Sequence, residues 1–153
     1  MMAAKKVMFI GPRGSGKTTL IQALKNEPKV YRKTPAIEFI DCFVDIPGEY
    51  LQIPKLYHAI ITSAIEVETI GAVIDAASKD FSFPPDFFTA FSNRVIGIVN
   101  KIDLPDADQD YAEKVLRFAG VKGPIIRVSA LTGKGIKKLK KILNMEQIPE
   151  SID

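Results

Sequence analysis

The sequence predicts an α/β fold: a mostly parallel central sheet with one antiparallel edge strand and helices on both faces. Three observations carry this. Short apolar runs rich in Val, Ile and Phe alternate with segments of helical period along the 153 residues, which is the pattern of βα units wound around a parallel sheet. The stretch GPRGSGKT at 11–18 sets a glycine-rich turn between an apolar run and a helical one. Only ten residues separate Thr34 from Asp45, so two strands fit there only if Asp41 and Cys42 make a very tight turn; otherwise one continuous strand replaces the pair.

The elements follow in order. Strand one covers residues 6–10 and is stopped by Gly11 and Pro12, and a helix runs over 16–26. Strands at 36–40 and 43–45 precede a helix over 54–65. A strand at 70–76, a short helix after the paired prolines at 84–91 and a strand at 94–99 come next. The helix at 108–119 has Asp106 or Asp108 as its cap, Tyr111, Val115, Leu116 and Ala119 on one face and Gly120 as its stop. A strand at 124–128 leads to a last helix at 135–143. It carries Ile136, Leu139, Ile142 and Leu143 on one stripe and Lys134, Lys137, Lys138, Lys140 and Lys141 on the other. The reading is one domain over 1–144 and a loose tail over 145–153, where a proline and few apolar residues remain.

Composition narrows the function classes. With 46% hydrophobic residues the chain can bury a full core, and a net charge of +3 with 25% charged residues is too mild to imply nucleic acid. Cys42 and His58 are the sole cysteine and histidine, which excludes an intrachain disulfide and Cys-based zinc sites. No apolar run approaches the roughly 20 residues of a membrane span, and the run at 7–10 is too short for a secretory signal. A cytoplasmic location is the expectation.

Chemistry enters at Gly11–Thr18, which fits G-x-x-x-x-G-K-[ST] without mismatch. Gly11, Gly14 and Gly16 allow a backbone whose N–H groups, with those of Arg13 and Ser15, turn onto phosphates; Lys17 would reach the β- and γ-phosphates and Thr18 would bind Mg²⁺. Asp45-Ile46-Pro47-Gly48 closes the third strand. Asp45 would hold Mg²⁺ through a water, and the Gly48 N–H would meet the γ-phosphate. Thr34 is the candidate for a second Mg²⁺-binding hydroxyl on a loop that closes over triphosphate. The base would be read at Asn100-Lys101-Ile102-Asp103, 83 residues past Lys17. The Asp103 carboxylate can accept from guanine N1–H and N2–H together, a pair adenine lacks. Asn100 would brace the loop, the Lys101 stem would cover a base face, and Ser129-Ala130-Leu131 would offer a backbone N–H to guanine O6.

These motifs, in this order, resemble the Ras-like P-loop GTPases of the translation-factor-related class, over nearly the whole chain from Lys6 to about Leu143. The resemblance implies a three-layer P-loop NTPase, the Ras-like G domain, with GTP or GDP and Mg²⁺ as ligands. Residues 31–39 (YRKTPAIEF), 45–50 (DIPGEY) and 57–59 (YHA) further resemble the EutP/PduV family of ethanolamine- and propanediol-utilisation proteins. That likeness implies a role tied to a bacterial microcompartment, with a shell or pathway protein as partner.

Two positions depart from an efficient GTPase. Glu49 stands where many small GTPases place a water-orienting glutamine, and a carboxylate there is repelled by the γ-phosphate; slow hydrolysis follows. Arg13 stands in the phosphate loop where a small residue is usual, and would serve as an arginine supplied in cis. Lys17, Glu49 and Arg13 are therefore the candidate catalytic residues. Two other readings stay open: an ATP-dependent acyl kinase acting on a carboxylate such as acetate, an activity associated with the family, and a non-catalytic scaffold whose nucleotide sets the loops around Thr34 and 49–56. Asn100 and Asp103 favour the wrong base for ATP, which weighs against the kinase.

Overall fold

The computed structural model of the chain describes residues 6–29, 36–79 and 83–145. Its centre is a six-stranded sheet in the order β2-β3-β1-β4-β5-β6, made of β1 (Val7–Ile10), β2 (Glu38–Ile40), β3 (Phe43–Asp45), β4 (Thr69–Asp75), β5 (Arg94–Asn100) and β6 (Ile125–Arg127). All neighbours are parallel except β2 and β3. Asp41 takes a left-handed conformation, φ 53°, which lets Ile40 pair with Phe43 across a two-residue turn. The tight turn exists, and the single-strand alternative falls.

Alternation along each strand sorts side chains to two faces. Met8, Ile10, Val44, Ile46, Ile70 and Ile74 face one core with Ile60 from α2 (Tyr57–Ser63) and Val115 and Leu116 from α3 (Gln109–Phe118). Val7, Phe9, Phe43, Ile96 and Ile98 face the other, with Leu20 and Ile21 from α1 (Lys17–Leu24) and Leu139 from α4 (Ile136–Ile142). Met145, just past α4, is buried in that second core. The chain leaves β1 toward β3 on one side and returns past it to β4 on the other. The carboxyl end of β1 is therefore a topological switch point, where doubly wound sheets bind ligands.

Two expected helices differ. The segment 54–65 divides into a 3₁₀ turn at Pro54–Leu56, α2, and another 3₁₀ turn at Ala64–Glu66. The segment 84–91 forms only a 3₁₀ turn, Phe87–Ala90. Pro84 and Pro85 supply no N–H, Asp86 is left-handed at φ 55°, and the N–H groups of Asp86 and Phe88 donate to Phe118 and Ala119 at the end of α3. The segment satisfies that helix's terminal carbonyls instead of extending its own ladder. Asp108 rather than Asp106 caps α3, accepting the Tyr111 N–H at 3.0 Å, and Gly120 turns the chain away at φ 96°.

Candidate functional site

The loop after β1 wraps the start of α1. Gly14 and Gly16 adopt φ 84° and 92°, values an L side chain rarely reaches, and a Cβ on Gly11 would strike the Val73 carbonyl. Lys17 is buried, and its ammonium donates to Gly11 O at 2.8 Å and Pro12 O at 3.4 Å. Burial lowers its pKa to about 8, with Asp45 and then Glu49 partly restoring the charge. The Ser15 hydroxyl is buried with no hydrogen-bond partner among the described residues. A depressed lysine and an unanswered hydroxyl in one loop suit an anion: a phosphate would supply the countercharge that desolvation makes Lys17 lack.

Thr18 and Asp45 meet beside this loop, the hydroxyl donating to Asp45 Oδ2 at 2.9 Å. Asp45 is wholly buried at the end of β3. One hydroxyl and one carboxylate fit a Mg²⁺ that takes its remaining ligands from phosphate and water. Thr34, the expected third contributor, lies outside the described residues.

Asn100, 1% exposed, joins three segments. Its Nδ2 donates to Ser15 O at 3.0 Å and its Oδ1 accepts the Ala130 N–H at 3.1 Å. Lys101 is left-handed at φ 64° and its ammonium donates to Gly14 O at 2.6 Å. Ser129 Oγ donates to Asp103 Oδ1 at 2.8 Å while accepting the Thr132 N–H at 3.1 Å, which aims the carboxylate. Between these groups lies a cavity of about 250 Å³ bounded by Gly16, Thr19, Asn100, Lys101, Asp103, Leu104, Ala130 and Leu131.

At the opposite end, the segment after β3 lies on the phosphate loop. A Cβ on Gly48 would collide with Arg13 N, and would come within 2.6 Å of Arg13 Cα and 2.7 Å of Pro12 C. Glycine is needed there for approach to the loop itself. This brings the two departures face to face, with Arg13 Nε 4.0 Å from Glu49 Oε1. The Arg13 side chain is 61% exposed, so this contact is loose and screened.

A family model described as "Ethanolamine utilisation - propanediol utilisation" matches residues 4–145. The chain belongs to the PduV/EutP family. Among the family's curated members, a Salmonella typhimurium protein named "Probable acetate kinase EutP" is 35% identical over 137 residues, 88% of this chain and 86% of that protein. The "Propanediol utilization protein PduV" of Citrobacter freundii is 35% identical over 144 residues, 94% of this chain and 95% of that one. In fold, the chain is similar to the crystal structure of a bacterial selenocysteine-specific elongation factor, EF-Sec. The TM-score is 0.68 at 23% identity, over 97% of this chain and 30% of the factor. The chain thus corresponds to under a third of that larger protein, and the likeness is one of fold alone.

For a PduV/EutP chain, then, the motifs from four strand ends, those of β1, β3, β5 and β6, converge on one edge of the sheet. Thr19 and Leu104 also bound the cavity, although no motif singles them out. Each follows a motif residue by one position, and the helical or turn geometry there, unavailable from spacing alone, turns it inward. No helix among the described residues is long and apolar enough to cross a membrane.

Proposed function

We propose that the chain is a small Mg²⁺-dependent guanine-nucleotide-binding protein with slow GTP hydrolysis, serving as a switch or accessory protein in ethanolamine or propanediol catabolism. The observation that carries this is the Asn100 bridge. It joins the phosphate loop at Ser15 to the Ala130 backbone, so that one cavity is bounded by Gly16 of that loop on one side and by Asp103 on another. A carboxylate there takes two N–H groups from guanine, whereas adenine would leave it unpaired beside an unprotonated ring nitrogen. Mg²⁺ held by Thr18 and Asp45 would neutralise phosphate charge. Lys17 would regain full protonation on the phosphates, and Leu131 and the Lys101 stem would pack on the base.

Slow turnover follows from Glu49, whose carboxylate is a poor orienter of water next to a γ-phosphate. Its contact with Arg13 tempers that repulsion. When triphosphate is bound, Arg13 can turn from Glu49 to the phosphates. Single-turnover GTP hydrolysis by Arg13→Ala tests this: a fall supports an arginine supplied in cis, and an unchanged rate removes it.

A second reading is favoured by the relatives named as probable acetate kinases: transfer of the phosphoryl group to a small carboxylate. Titration of nucleotide-stripped protein with GTP, GDP, ATP and ADP in Mg²⁺ separates the two. Preference for GTP that disappears in Asp103→Ala supports the switch; equal or tighter ATP binding, with acetate-dependent loss of the γ-phosphate, supports the kinase. Family membership supports a place in the cytoplasm at a bacterial microcompartment, with a shell or pathway protein as partner. A nucleotide that only sets the conformation of residues 49–56 would leave no phosphate release in either assay.

A further inference from the structure

Asp75, the last residue of β4, belongs to none of the nucleotide motifs but touches the base-reading one at two residues. It stands opposite Asn100, the last residue of β5, so the sheet that presents the base-reading loop also fixes its backbone. Its Oδ1 accepts the Ala77 N–H at 2.8 Å, a turn bond that sets the carboxylate's orientation. Its Oδ2 lies 3.3 Å from the Lys101 ammonium. The same ammonium reaches Gly14 O, and Lys101 holds a backbone conformation that a non-glycine residue keeps only where its surroundings enforce it.

We propose that Asp75 is a positioning residue of the nucleotide site: its carboxylate holds the Lys101 ammonium at Gly14, which lays the lysine stem along the base cavity and ties the phosphate loop to the base-reading loop. The inference rests on nucleotide binding at this cavity but not on which purine is bound, because a stem packed on a ring face serves either. Both side chains are partly exposed, Lys101 at 35% and Asp75 at 22%. Without Asp75 the ammonium keeps one neutral acceptor, and water competes for it. The stem then loses its fixed course. The carboxylate's contribution is orientation, and it reaches the nucleotide only through the lysine.

The test measures dissociation constants of GDP, IDP and ADP, with Mg²⁺, for the full chain and for Asp75→Asn, Lys101→Met and the double variant. Asp75→Asn keeps an acceptor for the Ala77 N–H and removes only the charge; a thermal melt of each variant checks that it folds. In the expected result Asp75→Asn weakens GDP and IDP by the same factor, about five- to tenfold, and has almost no further effect in the Lys101→Met background. The GDP-to-IDP ratio, which reports the Asp103 contact with the exocyclic amine, stays at its wild-type value. An effect below about twofold, or an equal loss in both backgrounds, overturns the proposal. Wild-type protein that binds ADP as tightly as GDP counts against the guanine assignment, and the same cycle read with ADP still decides the role of Asp75. Absence of binding to all three overturns both.

Discussion

Replacing Asn100 with alanine should damage stability and nucleotide binding together. The side chain is 1% exposed and makes two buried hydrogen bonds, to Ser15 O at 3.0 Å and from the Ala130 N–H at 3.1 Å. Alanine strands one carbonyl and one amide where water does not replace the partner, at about 1–3 kcal/mol each. A loss of about 2–6 kcal/mol is therefore expected, a large share of the roughly 5–15 kcal/mol that holds an ordinary domain. For a chain of this size that is a fall of about 5–15 °C in Tm. Urea denaturation at constant m-value reads the loss, and GDP titration reads the site, where affinity should fall by about tenfold or more. Asn100→Asp is the informative companion. It keeps an acceptor for Ala130 but sets an anion against the Ser15 carbonyl, so it should do no better than alanine. A loss below about 1 kcal/mol with unchanged GDP affinity would refute the bridge.

Three further outcomes follow from the site. Gly48→Ala places a methyl against the Pro12–Arg13 backbone; overpacking of about 1–3 kcal/mol should appear in a melt, and wild-type stability would mean the segment does not rest there. Thr18→Ala removes the bond to Asp45 and should raise the Mg²⁺ concentration needed for GTP binding by about tenfold or more, with little change in EDTA; an unaltered Mg²⁺ requirement would count against the metal role. Lys17 carries a pH signature in the nucleotide-free protein. Burial holds its folded pKa at about 8, below the ordinary lysine value of 10.5, so between these values the unfolded chain binds more protons and stability rises with pH. The contribution is largest above pH 10.5 and is lost as pH falls toward 8, an effect on the order of 3 kcal/mol. Lys17→Met should abolish that slope in denaturation curves taken from pH 7.5 to 10.5.

Much of this arrangement is legible in the chain because the residues concerned answer local constraints. Gly14 and Gly16 are written where the backbone turns left-handed, and the alternation of Val7 and Phe9 against Met8 and Ile10 divides them between two cores. The spacing leaves either a pair of short strands or one continuous strand, and the choice rests on whether Asp41 accepts a positive φ, a cost that only the completed hairpin settles. The segment after Pro84 misleads for a different reason. Phe87, Phe88 and Phe91 have helical spacing, yet the backbone donors of Asp86 and Phe88 are satisfied by α3, a long-range partner that periodicity cannot display. Asp75 is hidden in the same way. Its carboxylate matters because β4 and β5 end in register, and register is a property of the sheet. Lys101 is half legible: its stem suits a base face, but the destination of its ammonium at Gly14 and Asp75 is set by residues 87 and 26 positions away.

The turn at Asp41 has one more consequence. Lys25, just past the end of α1, donates to Asp41 at 2.7 Å and to Glu27 at 2.6 Å, and these bonds raise its pKa. Helix α1 and strand β3 are thus clasped at both ends, by Lys25 and Asp41 at one and by Thr18 and Asp45 at the other. The two clasps are unequal. Asp41 is 70% exposed and an ion pair in such a place is worth about 1 kcal/mol or less, whereas Asp45 is sealed from solvent. The frame therefore behaves as a hinge with its pin at the Thr18–Asp45 end. Under strain at the edge of the sheet, the hairpin tip, with Phe39 exposed on its outer strand, should swing first, and the Thr18–Asp45 pair should be the last to part.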